Sequence, residues 1–130
     1  MKYNRLESFR HILQEPVKAE FRLCMDGKEQ GKLSSKVDCL ILEMSPSGLR
    51  LSTPLNLPAE NYLIRMELMF VLFSKPIRTI GEVKWKKSGN GSYVYGIDLE
   101  EDEAVEEMVI SELKARRRTE VMTNKTSSDN

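Results

Sequence analysis

The chain is poor in the residues that usually carry catalysis. Of its 130 residues one is histidine, His11, and two are cysteine, Cys24 and Cys39. A single histidine cannot supply a His-based metal cluster, and it makes a Ser-His-Asp triad or a Cys-His dyad with a second His hard to assemble. The cysteines show neither a C-x-x-C nor a zinc-ligand spacing. In their apolar, strand-like surroundings a thiol acts as a small hydrophobe, although one disulfide stays open. No G-x-x-x-x-G-K-S/T phosphate loop occurs. We expect no metal, no cofactor and no enzyme activity.

Excess charge is also absent, with Lys+Arg 20 against Asp+Glu 20. That balance speaks against bulk electrostatic capture of nucleic acid or an anionic membrane. Long apolar runs are missing too. The most apolar stretch, Tyr62 to Ser74, carries Arg65 and Glu67 and is too short to span a bilayer. Met1 to Glu15 lacks the apolar core of a signal peptide. The expectation is one cytoplasmic domain without membrane insertion. Hydrophobic residues at 40% and charged residues at 31% are ordinary for a globular chain, and the length suffices for one core.

What is present is period-two alternation broken by turn residues. Val17, Ala19, Phe21 and Leu23 alternate with Lys18, Glu20 and Arg22, the pattern of a half-buried strand. Asp26-Gly27 reads as a tight turn. A second strand spans about Ser35 to Met44, and Ser45-Pro46-Ser47-Gly48 has the chemistry of a type I turn. Leu49 and Leu51 flank Arg50 in a short third strand. Tyr62 to Phe73 reads as a long strand, apolar on both faces near its end. Ile77 to Lys86 alternates again, with Trp85 expected on the core side. Asn90-Gly91 is a hairpin signal before a last strand, Ser92 to Leu99. Six short strands with tight connections indicate an all-β fold, a six-stranded antiparallel barrel.

From Asp102 the period becomes helical, with Val105, Met108, Val109 and Leu113 on one stripe. Asp102 suits the N-cap, and Lys114 and Arg116 to Arg118 suit the helix end. The expected layout is an arginine-bearing arm (1–15), a barrel (16–100), a C-terminal helix (101–122) and a disordered tail (123–130). Charge is segregated along it. Residues 98 to 107 hold seven acids, and no Lys or Arg occurs between Ser88 and Leu113.

Two segments are candidates for binding. Arg5 and Arg10 precede the first strand, where a guanidinium can fork onto the O6/N7 edge of guanine, clamp a phosphate or stack on a purine. Glu43 can accept from the N1 and N2 donors of guanine, Ser45 can bond a base edge or phosphate, and Gly48 permits close approach. A plainer reading makes the arginines solvated and leaves Ser45, Pro46 and Gly48 as a turn. Lys75, Arg78, Lys84, Lys86 and Lys87 form a modest basic strip near Trp85 and Tyr95. It reads more simply as a solvated outer face than as a site for single-stranded nucleic acid.

The succession of arginines, Pro16-Val17-Lys18-Ala19-Glu20-Phe21, Ser45-x-x-Gly48-Leu49, Ile80-Gly81-Glu82-Val83-Lys84-Trp85 and Tyr95-Gly96-Ile97-Asp98-Leu99 resembles the PilZ domain over nearly all of residues 2 to 116. The resemblance implies a six-stranded barrel with a C-terminal helix. It also implies a bacterial cyclic di-GMP receptor acting on motility, exopolysaccharide production or virulence. The family signature is R-x-x-x-R in the arm and D/N-x-S-x-x-G on the barrel. Arg10 fits the second arginine, Leu6 stands at the place of the first with Arg5 one residue away, and Glu43 replaces Asp or Asn before Ser45 and Gly48. The expected function is a signalling module that binds cyclic di-GMP through Arg5, Arg10, Glu43, Ser45 and Gly48 and relays it to a protein effector. The alternative is a PilZ-like adaptor that has lost the ligand and works by protein–protein contact or as a homodimer, through the Tyr62–Phe73 strand or the Met-bearing helix.

Overall fold

The computed structural model describes residues 11–24 and 33–128. Six antiparallel strands close into a barrel in the order β1-β2-β3-β6-β5-β4. They are β1 (His11–Leu23), β2 (Val37–Ser45), β3 (Gly48–Thr53), β4 (Arg65–Val71), β5 (Pro76–Gly89) and β6 (Ser92–Leu99), followed by α1 (Glu103–Ser128). Closure gives every strand a neighbour on both sides. The inward faces supply the core, with Phe21, Ile41, Met44, Leu51, Met66, Leu68 and Tyr95 almost fully buried. Asn90-Gly91 makes the expected two-residue hairpin, and Gly91 has the positive φ of 77° that such a turn requires. The turn expected at Asp26-Gly27 lies outside the described residues.

Several boundaries differ from the expected ones. β1 begins at His11 instead of near Val17, pairs His11 with Met44 and Ile12 with Glu43, then loses register before Val17. Pro16, which has no N–H to donate, lies in that irregular stretch. β4 is confined to Arg65–Val71, so the long strand expected over Tyr62–Phe73 is shorter. Tyr62 and Leu63 instead lie exposed in the preceding loop. α1 runs on to Ser128, through most of the stretch expected to be a disordered tail. Both cysteines are free thiols, and burial pushes Cys39 up to about 12.

Polar staples hold the connections to this frame. The buried Tyr95 hydroxyl donates to the Leu55 carbonyl (2.8 Å) and accepts from the Leu57 N–H (2.7 Å), fixing the β3–β4 loop. Lys86 reinforces that loop from Nζ, donating to the Leu57 carbonyl (2.8 Å), Asn56 Oδ1 (2.6 Å) and Glu60 (2.9 Å). The Glu60 carboxylate holds the Lys86 ammonium above its ordinary value and is itself lowered.

The helix is capped by Asp102, whose Oδ1 accepts from the N–H groups of Ala104 and Val105, and it buries Val109 and Leu113. Its docking is fixed by Glu112. Oε1 accepts from the N–H groups of Phe73 (3.0 Å), Ser74 (2.8 Å) and Lys75 (2.9 Å), and the Ser74 hydroxyl donates to Oε2. Three successive amides converging on one oxygen form an anion nest, here filled by the protein's own side chain. Farther along, Arg116 donates to the Leu72 and Glu15 carbonyls and to Glu120, and His11 Nε2 lies 3.0 Å from Glu120 Oε1.

Burial opposes the charged form of Glu112, but the amides of Lys75, Ser74 and Phe73 and the Ser74 hydroxyl outweigh it and hold the carboxyl below its usual range. The stabilisation is therefore complete at neutral pH. It is lost as the pH falls below about 4, the ordinary carboxyl range. Glu112→Ala should cost about 2 kcal/mol in urea unfolding at pH 7, since three amides lose their acceptor. The difference from the parent protein should shrink as the pH falls further and the native carboxyl takes up its proton.

Candidate ligand-binding face

Two β-bulges decide which residues meet on the outside of the barrel. In β2 the pairs Ile41↔Leu51 and Glu43↔Arg50 enclose Leu42 as an extra residue. Strict alternation from the buried Ile41 would turn Glu43 inward. The inserted residue turns Met44 into the core and Glu43 outward. β5 repeats the device. The pairs Val83↔Ile97 and Trp85↔Gly96 enclose Lys84. The expectation of a core-facing Trp85 is thereby corrected, because the bulge places the indole outside, 42% exposed, and brings Lys86 round to the β3–β4 loop.

One transverse row now runs across five strands on the outer face, Ile12–Glu43–Arg50–Gly96–Trp85. The Trp85 ring lies over Gly96, where an added Cβ would fall 2.1 Å from ring atoms. Glycine at 96 is thus the space into which the indole fits. Arg50 Nε stands 3.5 Å from Glu43 Oε1 across the β2–β3 pair. Lys84 lies 3.2 Å from Glu82 and 3.9 Å from Asp98, and Lys87 stands 5.6 Å from the Trp85 ring centroid. The basic strip read from the sequence is therefore already interleaved with acids, and Lys86 is committed to the loop.

The Glu43–Gly48 turn closes one end of this face. Ser45 is buried and its hydroxyl is engaged inside the turn, accepting from the Gly48 N–H (3.2 Å) and donating to the Gly48 carbonyl (3.1 Å). Its position serves the turn first. Gly48 sits where an added Cβ would come 2.7 Å from the Ile97 carbonyl oxygen, so glycine here lets β3 lie close against β6. Between turn and indole lies a groove of about 250 Å3 bordered by Glu43, Ser47, Arg50, Lys84, Trp85 and Asp98. It is smaller than the ~300–1,000 Å3 that encloses a typical ligand. Arg5 and Arg10 lie outside the described residues. The strand that follows them starts at His11, which pairs with Met44, between Glu43 and Ser45.

This arrangement matches a known family. The PilZ domain model matches residues 4–115, which spans the arm, the whole barrel and half of the helix. The chain belongs to the PilZ domain family. PilZ domains are cyclic di-GMP receptor-type modules that bind and adapt and are not enzymes. A search of the curated proteins found no match. In this PilZ domain Glu43, Ser45 and Gly48 stand on one hairpin, with Glu43 outward, Ser45 bracing the turn and Gly48 against β6. Arg50 and Gly96 carry no sequence signal as binding residues, and Trp85 enters the sequence reading only beside the basic strip and on the core side. The signal that could have found them is the Gly-to-Trp match, which only appears once the β5–β6 register is known. No helix among the described residues is long and apolar enough to cross a membrane.

Gly96→Ala should push the indole off its seat. Trp85 is the chain's one tryptophan, so its fluorescence reports on this face alone. Emission should shift to the red with little change in Tm, because the atoms displaced belong to a half-exposed ring and not to the core.

Proposed function

We propose that this PilZ domain binds cyclic di-GMP on the outer face between the Glu43–Gly48 turn and Trp85, with Arg5 and Arg10 of the arm closing over it. The observation that carries this reading is the β1–β2 register. His11 pairs with Met44, so the arm enters the barrel beside the turn that bears the second half of the signature. Charge accounting points the same way. The groove's cations, Arg50 and Lys84, are matched by Glu43, Asp98 and Glu82. A dianionic nucleotide therefore needs cations from elsewhere, and the arm carries them.

In this reading Arg10 clamps a phosphate or the guanine O6/N7 edge, Arg5 supplies the second guanidinium, and Glu43 accepts from the guanine N1 and N2 donors. The hydroxyl of Ser45 and the small size of Gly48 hold the turn in shape. Closing the arm over the ligand creates a surface for a protein effector, an ordering switch of the kind used by many signalling domains. A cytoplasmic module relaying a second messenger to motility or exopolysaccharide control is the corresponding cellular role.

A second reading is favoured by two contacts. Glu43 already faces Arg50 at 3.5 Å, and the Ser45 hydroxyl is spent within its turn. A PilZ fold with both groups satisfied could serve as an adaptor without a nucleotide. Calorimetry with purified protein separates the two. Cyclic di-GMP should bind, and Arg10→Ala should weaken it at least about tenfold, or 1.4 kcal/mol. Glu43→Ala should weaken it by a similar factor. Absence of heat and of any Trp85 fluorescence change at ligand near a millimolar would leave the adaptor reading in its place.

A further inference from the structure

We propose that α1 pairs with the same helix of a second copy, antiparallel, through its solvent face. One stripe on the exposed side of the helix is a strict four-three repeat. Glu103, Glu107, Ile110, Lys114, Arg117 and Val121 follow one another at spacings of four, three, four, three and four. At 3.6 residues per turn these six positions stay within an arc of about 80°. All are exposed except Ile110, which is half-buried, whereas Val109, Glu112 and Leu113 point into the barrel. The stripe is thus distinct from the face that docks α1.

Its composition says what fits it. The first half of the stripe is acidic, the second half is basic, and Ile110 stands between them. Two such stripes laid parallel would set Glu103 on Glu103 and Lys114 on Lys114, like charge on like. Laid antiparallel about Ile110, they set Ile110 on its own counterpart, Glu107 against Lys114 of the second copy and Glu103 against Arg117 or Arg118. The twofold axis repeats each pair, giving self-complementarity of the kind an isologous dimer needs. With Ile110 on its own counterpart the two helices overlap over residues 103–117, about 22 Å, which holds the four charged positions of the stripe. The pairing involves neither the Glu43–Gly48 turn nor Trp85, so it stands or falls apart from nucleotide binding.

Sedimentation equilibrium on the full chain, at concentrations up to about 1 mM, tests the pairing. The wild type should show a monomer–dimer equilibrium that weakens as salt rises, since the pairs are exposed and screened. Glu107→Lys and Lys114→Glu should each raise the dimer Kd at least tenfold. The double variant E107K/K114E should return to within about threefold of the wild type, because the exchanged charges again face their opposites. Both sites are on the helix surface, and circular dichroism checks that helicity is kept. A chain monomeric throughout overturns the proposal. So does a dimer indifferent to either reversal, or a double variant as weak as the singles. Binding of a monomeric chain to phosphatidylserine vesicles would likewise overturn it, by assigning the basic half of the helix to a lipid surface.

Discussion

The outer face of this barrel depends on two single-residue insertions in its strands. A strand has a side-chain period of two, so an extra residue exchanges inside for outside for everything beyond it. Leu42 does this in β2 and Lys84 does it in β5. Without the first, Glu43 would be directed at a core of Ile41 and Leu51, where a carboxylate has no compensation. Without the second, Trp85 would compete for the space that Tyr95 and Ile97 fill. The bulges therefore produce the core and the groove together. They also explain why one row can contain an acid, a base, a glycine and an indole in succession.

Around that frame the connections are held by buried or half-buried polar groups that reach backbone. Tyr95 and Lys86 bind the β3–β4 loop, Glu112 fills the amide nest at the β4–β5 turn, and Arg116 caps carbonyls of both β1 and that turn. These are cheap in side chains and exacting in geometry. Each satisfies backbone groups that a closed barrel would otherwise leave unpaired at its ends. The helix thereby acts as a lid for one end of the barrel.

The strand count, the Asn90-Gly91 turn, the Asp102 cap and the apolar stripe of α1 were all legible in the sequence. Each is a local signal, set by residue type and short-range period. The motif turn was legible for the same reason. What could not be read were the effects that depend on pairing. Trp85 was assigned to the core because alternation was carried straight through Lys84, and no local feature marks that residue as the extra one. The Tyr62–Phe73 run looked like one strand because apolar content does not distinguish a buried strand from a loop held down at its ends. Glu112 was one acid among many in an acidic stretch. Its role depends on a turn nearly forty residues away in the chain.

The contact between His11 and Glu120 joins the first residue of the barrel to the last third of the helix. Arg116 shares the same carboxylate and also holds the Glu15 carbonyl. The start of β1 and the later turns of α1 are thus mechanically linked, although 109 positions separate the bonded pair. Fraying of α1 from its C-terminal side must break this junction before it reaches Glu112, and so must peeling of β1 from its start. The two openings therefore draw on one free energy. Whatever steadies the start of β1 raises the hydrogen-exchange protection of the helix end, and by reciprocity whatever grips the helix end steadies the start of β1.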